Sequence, residues 1–178
     1  MIRKREVSAL RGRPITCCFT GHRPSKLPWG SNEGDPRCRR LKERLGEAVC
    51  CAYADGFRHF ICGMALGCDF YFAEAVLALK RAHSDVTLEA AIPCPTQADG
   101  WTAAERSRYR SLLERCDYET LVQDHYSPGC MQRRNRYMVD HSALLIAVFD
   151  GHGGGTRQTL EYAIRQGVSF VDIPPEGE

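Results

Sequence analysis

Residues 143–167, ALLIAVFDGHGGGTRQTLEYAIRQG, decide the fold, because they predict a strand, a glycine-rich turn and a helix in that order. The unbroken apolar run 143–149 is typical of a parallel strand that is covered on both faces. Four glycines then occur within residues 151–155, where they permit φ > 0 and a close approach of the backbone to a ligand. Thr156 is expected to cap the helix that follows.

The start of this predicted helix favours an anion. Free backbone N–H groups and the positive end of the helix dipole would lie at the mouth of the sheet, where they suit a phosphate. The same pattern also forms a tight strand-to-helix turn without any ligand. The turn therefore predicts either a phosphate site or a purely structural connection.

Strands and helices alternate along the rest of the chain. This alternation predicts a Rossmann-like three-layer α/β/α fold with a mainly parallel sheet and right-handed crossovers. We expect a single domain over residues 15–178, preceded by a basic N-terminal arm over residues 1–14. The predicted strands cover 15–20, 57–62, 86–93, 118–122, 143–149 and 168–173. The predicted helices cover 37–55, 70–83, 102–116, 128–141 and the segment that follows Thr156.

Composition limits the class of protein. The chain has 178 residues, 43% of them hydrophobic and 26% charged, with a net charge of +2, as in an ordinary globular domain. The ten cysteines include no C-x-x-C, no signal peptide is recognised, and no segment is long enough to span a membrane. We therefore predict reduced, mostly buried cysteines in a cytoplasmic protein that has no metal site and no cofactor.

Polar or glycine-rich turns follow three of the predicted strands. They are residues 20–23, 63–69 and 150–156. Ligands of parallel α/β sheets bind at the carboxyl ends of the strands, near the point where the strand order reverses. The three turns are therefore predicted to converge on one site.

The first turn contains Thr20, Gly21, His22 and Arg23. Arg23 is expected either to bind a phosphate through two parallel hydrogen bonds or to be a surface charge fixed by Pro24. His22 is interpreted as a polar contact to the ligand, with a general acid or a plain loop residue as the alternatives.

The second turn contains Gly63, Met64, Gly67 and Asp69. The glycines permit tight curvature of the backbone. Asp69 is predicted either to cap the next helix or to accept a hydrogen bond from a ribose hydroxyl or a base.

The third turn contributes Gly153, Gly154, Gly155 and Thr156 to the predicted site. His152 lies within it and is as ambiguous as His22. Glu161, five residues after Thr156, is a candidate for catalysis together with Asp69, although an acid near a helix start ordinarily just complements the dipole.

The basic cluster 133–136 is the last candidate feature. Arg133 and Arg134 are interpreted as part of a solvated, charged helix face. Asn135, Arg136 and Asp140 are expected to border the mouth of the same site.

These motifs resemble those of the SLOG superfamily, which includes the DNA-processing protein DprA and the "lonely guy" phosphoribohydrolases. Residues 62–69, CGMALGCD, resemble its S-G-x-A-x-G-[IVC]-D segment, and Gly153-Gly154-Gly155-Thr156 with Glu161 resembles its G-G-x-G-T…E turn. The turn Thr20-Gly21-His22-Arg23-Pro24 is similar to the T-G-[YH]-R-P start of the YpsA-like branch. The resemblance spans nearly the whole chain after Arg13. It implies a Rossmann-like sheet with a site for a nucleotide-like ligand, lined by Gly21, Arg23, Gly63, Gly67, Asp69, Gly154, Gly155 and Thr156.

Three functions follow from these features. The first is binding or sensing of a nucleotide-derived ligand of the ADP-ribose or NAD type. The second is hydrolysis of a nucleotide N-glycosidic bond, but the hydrolase signature has a proline before its glycines and a glutamate closer to the threonine than Glu161 is. The third is DprA-like binding of single-stranded DNA, which the near-neutral charge supports only modestly. A homo-oligomer that packs through the apolar helix 70–79 is an additional hypothesis.

Overall fold

A computed structural model describes residues 13–176 of the chain. Its six strands form one sheet with the order β4-β3-β2-β1-β5-β6, and every neighbouring pair is parallel. The Rossmann-like α/β architecture predicted from the alternating pattern is confirmed. The strands are β1 (Thr16–Gly21), β2 (His59–Cys62), β3 (Thr87–Ile92), β4 (Tyr118–Leu121), β5 (Leu144–Val148) and β6 (Ser169–Ile173).

Within residues 13–176, five α-helices cover the two faces of this sheet. Helices α1, α2 and α3 contribute to one hydrophobic cluster, and α4 and α5 contribute to the other. Their bounds are α1 (Pro36–Ala54), α2 (Cys68–Ala82), α3 (Ala103–Arg115), α4 (Cys130–Asp140) and α5 (Gly155–Arg165).

The apolar run that opened the sequence analysis forms β5, and all five of its residues are buried. Leu144, Ile146 and Val148 pack into the first cluster, whereas Leu145 and Ala147 pack into the second. Side chains alternate between the faces of a strand, so a strand covered on both faces must be apolar at every position.

The order of the strands fixes where the cleft forms. From β1 to β4 the chain adds strands on one side of β1, and helix α4 then carries it back to place β5 on the other side. The order reverses between β1 and β5, which makes their carboxyl ends the switch point of the sheet. The turns after β2, β1 and β5 lie on three adjacent strands and open at this edge.

Two expectations about helices need comment. Thr156 is not the N-cap of α5, since the helix begins at Gly155 with Gly154 as its cap and no capping side chain. The apolar residues of α2 that suggested a contact with a second copy, among them Phe70 and Phe72, are buried in the chain's own core.

Two further expectations concern the arm and the membrane. The basic arm over residues 1–14 lies almost wholly outside the described residues. Within the described part of the chain, no helix combines the length and the apolar character needed to cross a membrane.

Candidate functional site

A cleft of about 170 Å³ opens at the switch point of the sheet. This volume holds a polar group larger than a single water molecule. Arg23, Asp69 and Thr156, which come from three separate turns, all line it. Its walls consist of Phe19, Thr20, Gly21, His22, Arg23, Ser25, Lys26, Ala65, Asp69, Met131, Arg134, Asn135, Met138, Gly155 and Thr156.

Backbone contact between the first two turns explains why they meet. The N–H of Cys68 donates to the carbonyl of His22 at 3.2 Å, which holds the start of α2 against the end of β1. Gly21 permits this approach, because a Cβ there would lie 2.6 Å from the Cβ of Cys68. Gly67 is needed for the same reason, since its φ is +88° and a Cβ would lie 2.9 Å from the His22 oxygen.

The amino end of α5 forms one wall of the cleft, through Gly155 and Thr156. The first backbone hydrogen bond of this helix runs from the N–H of Gln158 to the carbonyl of Gly154. Among the described residues, the N–H groups of Gly155, Thr156 and Arg157 have no acceptor. Since no side chain caps them, these donors and the helix dipole are available to an anion.

Asp69 is the only carboxylate that the described part of the chain contributes to the wall of the cleft. It does not cap its own helix, because its Oδ2 accepts the N–H of Ala65 in the preceding turn at 3.1 Å. Oδ1 hydrogen-bonds to none of the described residues. Burial raises the pKa of Asp69 above its ordinary value, although the charges of Arg134 and Arg23 and the Ala65 N–H act in the opposite direction.

Arg134 lies in the same wall and is only 5% exposed, so its assignment to a solvated helix face was wrong. Its guanidinium donates to the carbonyl of Gly63 and, at 2.8 Å, to Oδ1 of Asn135. Burial lowers the pKa of Arg134, and the nearby charge of Asp69 compensates only in part. Among the described residues Arg134 forms no salt bridge, which leaves a buried cation beside an open cleft.

A sequence signal for Arg134 did exist. The buried residues Cys130, Arg134 and Met138 recur every four positions along α4, and this spacing marks one face of a helix. A cation on an otherwise apolar face is therefore an outlier. The four residues 133–136 look alike as a charge cluster, and only the helical spacing separates Arg134 from its neighbours.

Two more cations stand at the rim. Arg23 is exposed, and among the described residues its side chain has no hydrogen-bond or salt-bridge partner. Lys26, which the sequence analysis did not single out, donates from Nζ to the carbonyl of Gly153 at 2.7 Å and thereby links the first turn to the third. With Arg134, three cationic side chains face one carboxylate, Asp69, across the cleft.

His22 also connects the first turn to the third. It is 3% exposed, and its Nε2 lies 2.9 Å from Oδ1 of Asp150 without hydrogen-bond geometry. Burial raises the pKa of Asp150, but the backbone N–H of His152 and the side chain of His22 outweigh it, and the pKa is lowered overall. His22 thus lines the cleft and lies against Asp150 at the start of the glycine turn.

Other predicted site residues support the cleft without lining it. The carbonyls of Gly63 and Met64 accept hydrogen bonds from Nε2 of Gln97 at 3.2 and 2.7 Å. A Cβ on Gly63 would overlap the guanidinium of Arg134, so a larger residue there would require that side chain to move. Gly67, Gly153 and Gly154 also lie beside the cleft rather than in its wall.

Two candidates lie elsewhere. Glu161 faces the groove between α4 and α5, where it accepts from Nε of Arg157 at 2.8 Å. His152 is exposed. No group of three or more potential metal ligands occurs within residues 13–176.

The sheet topology defines a Rossmann-like α/β protein with a cationic cleft at the carboxyl edge of its sheet. The chain belongs to the YpsA family, described as the YspA SLOG family, whose model matches residues 17–169. It is 35% identical over 116 residues to the uncharacterized SPbeta prophage-derived protein YoqJ of Bacillus subtilis, covering 58% of this chain and 68% of that protein. It is 23% identical over 157 residues to a UPF0398 protein of Bacillus pumilus, covering 87% of this chain and 82% of that protein.

Two solved structures share the fold. DNA processing protein A from Helicobacter pylori, described for its single-stranded DNA binding mode, superposes with a TM-score of 0.60 at 14% identity, covering 91% of this chain. DprA from Streptococcus pneumoniae superposes with a TM-score of 0.54 at 19% identity, covering 92% of this chain. The chain spans 66% and 50% of the lengths of these two proteins.

Proposed function

We propose that the cleft binds the phosphate of a nucleotide or nucleotide-derived ligand. The observation that carries the proposal is the convergence of Arg23, Lys26 and Arg134 with the uncapped amino end of α5. None of these three cations has a carboxylate partner within the described residues. Guanidinium groups and free N–H donors together are the usual recognition elements for phosphate.

Asp69 supports a ligand with a ribose. Its Oδ2 is engaged by Ala65, and Oδ1 remains available in the wall of the cleft. A carboxylate oxygen beside a phosphate site is suited to accept a hydroxyl group of the sugar. The family membership and the likeness in fold to DprA agree with a nucleotide or nucleic-acid ligand. ADP-ribose and NAD are the ligands we would test first.

Binding is favoured over hydrolysis. Cleavage of a glycosidic bond requires a group that stabilises the oxocarbenium charge or activates water. Among the described residues, Asp69 is the only carboxylate in the wall of the cleft, and Glu161 lines the neighbouring groove between α4 and α5. A hydrolase would therefore depend on Asp69 alone, and chromatography of AMP after incubation with the protein would reveal free base if it acts.

Single-stranded DNA is less favoured as the principal ligand. The basic cluster 133–136 does not form one continuous basic surface. Arg134 is buried in the cleft, whereas Arg133 is exposed and donates from Nε to Gln123 at 2.8 Å. A formal net charge of +2 is small for a protein that tracks a phosphate backbone. The unpaired cysteines fit our proposal that the protein acts in the cytoplasm.

Isothermal titration with AMP, ADP-ribose and NAD tests the proposal. We expect saturable binding of at least one of these ligands, weakened about tenfold or more in Arg23→Gln, because a charge-assisted hydrogen bond contributes about 1.5–3 kcal/mol. Arg133→Gln is the matched control, since it removes the same charge from an exposed position outside the cleft. Absence of heat with every ligand, or equal losses in both variants, would contradict the proposal.

A further inference from the structure

A second cavity, also of about 170 Å³, lies between α4 and α5 and adjoins the cleft. Asn135 lines both. Its Nδ2 donates to Oγ1 of Thr159 at 2.9 Å, and Thr159 is itself part of the second cavity. A ligand that extends past Asn135 would therefore leave the cleft and enter this groove.

The groove carries two guanidinium groups that the proposed function does not use. Those of Arg136 and Arg165 lie 5.5 and 5.9 Å from the centre of the Tyr162 ring. The hydroxyl of Tyr162 donates to Asp140 at 2.8 Å and so orients the ring. Within residues 13–176, neither guanidinium forms a salt bridge. Cation–π contacts of this kind orient an arginine and leave its N–H donors free.

Glu161, the one carboxylate that residues 13–176 contribute to the wall of the groove, is already engaged. It accepts a hydrogen bond from Arg157, one turn earlier in the same helix. The amide side chains of Gln132 and Gln158 also line the groove. The groove thus presents two unpaired cations and neutral donors, which suit an anionic group with several acceptor oxygens.

We propose that this groove is a second anion subsite, in which Arg136 and Arg165 bind the distal anionic group of a ligand whose first phosphate occupies the cleft. This inference rests on the proposed function of the cleft. The ligand class is then a nucleotide with a second anionic group beyond Asn135, rather than a mononucleotide. Two cavities of about 170 Å³ each and a net charge of +2 favour such a compact ligand over a long strand.

Calorimetry with AMP and with the 5′-phosphorylated dinucleotide pApA tests the inference. We expect the wild-type protein to bind pApA at least about tenfold more tightly than AMP, because one additional charge-assisted hydrogen bond contributes about that much affinity. In the double variant Arg136→Gln/Arg165→Gln, the affinity for pApA should fall to that for AMP, and the affinity for AMP should stay within about twofold. Both arginines are exposed, so the variant should fold.

The control is Arg115→Gln/Arg133→Gln, which removes the same net charge from two exposed arginines outside both cavities. It should bind both probes as the wild type does. Equal wild-type affinities for AMP and pApA, or an equal loss of pApA binding in the control, would overturn the inference while leaving the proposed function intact. Binding of neither probe would overturn the inference, and absence of binding to ADP-ribose and NAD as well would overturn the proposed function too.

A third probe separates a compact ligand from a nucleic-acid strand. The affinity for oligoadenylates should level off at pApA. A continued rise up to eight nucleotides, together with a steep fall of affinity with salt, would instead indicate a bound single strand and overturn the assignment to a small ligand.

Discussion

Replacement of Arg134 by methionine separates the role of this residue in binding from its role in stability. Its guanidinium is nearly fully buried and donates to Gly63 and Asn135, with no salt bridge among the described residues. Methionine has a similar length and no charge. The variant therefore removes a desolvated cation, whose burial costs several kcal/mol, together with the hydrogen bonds that partly compensate for it.

The expected change in stability is small. The carbonyl of Gly63 keeps its hydrogen bond from Gln97, so it is not left unsatisfied. The lost hydrogen bonds, about 1.5–3 kcal/mol each, are of the same size as the desolvation cost that is relieved. Without ligand, we expect the free energy of unfolding of Arg134→Met to stay within about 1 kcal/mol of the wild type or to rise.

The expected change in binding is large. Loss of one charge-assisted hydrogen bond to phosphate, about 1.5–3 kcal/mol, weakens binding about 10- to 150-fold. Ligand at a concentration 100 times the wild-type Kd adds about 2.7 kcal/mol to the stability of the wild type, but only about 0.4 kcal/mol to a variant whose Kd is 100-fold weaker.

Urea denaturation with and without ligand, together with calorimetry, measures both quantities. Arg133→Met is the control on the same helix and should change neither. If Arg134→Met lost more than about 3 kcal/mol of stability while its ligand affinity stayed the same, Arg134 would be a structural residue, and the argument from its unpaired charge would be refuted.

Five further substitutions test other features of the protein. Gly67→Ala should destabilise the protein by about 1–3 kcal/mol in urea denaturation, because φ is +88° and a Cβ would lie 2.9 Å from a backbone oxygen. Gly46→Ala is the contrasting variant, since Gly46 lies in the middle of α1 with open space around it, and it should stabilise the protein by about 0.5–1 kcal/mol. Burial raises the pKa of Glu89, but its hydrogen bonds from a histidine, a tyrosine and a threonine outweigh this and lower it below 4.5. The contribution of ionised Glu89 to stability is present above pH 4.5 and is lost as the pH falls through the folded-state pKa. Glu89→Gln should lower the free energy of unfolding by about 3–5 kcal/mol at pH 7 and reduce the loss of stability at acid pH. An unchanged melting temperature would contradict this prediction. Burial raises the pKa of Asp69 above 3.8, so the contribution of Asp69 to the free energy of unfolding is full below that pH and declines as the pH rises through the folded-state pKa. The free energy of unfolding of Asp69→Asn, measured against pH, should lack this decline. Glu161→Gln should leave AMP affinity within about twofold and stability within about 0.5 kcal/mol, since the carboxylate forms only an exposed helical ion pair; a tenfold loss of affinity would return Glu161 to the site.

The sequence predicted the family and the architecture because both depend on local patterns. Alternation of apolar strands with amphipathic helices leaves few arrangements other than a parallel sheet covered on both faces. The glycine turns were recognisable because a positive φ or a close backbone contact excludes most other residues, as at Gly67. Membership of the YpsA family confirms the resemblance on which the nucleotide-like site was first proposed.

The placement of single side chains depended on packing between segments that are far apart in the chain. The charge cluster at 133–136 did not distinguish Arg134, which faces the sheet, from Arg133, which faces solvent. Lys26 was not singled out because its partner, the carbonyl of Gly153, lies 127 residues away along the chain. Glu161 was a candidate from its spacing to Thr156, yet the rotation of α5 turns it into the neighbouring groove.

The sequence by itself therefore determined the parallel sheet and the three turns at its carboxyl edge, since hydrophobic period and glycine placement are properties of contiguous residues. Only the tertiary structure decided which charges are left without partners in the cleft. The pairing of a charge depends on distances between elements, which in this chain are set by the return of α4 across the sheet between β4 and β5.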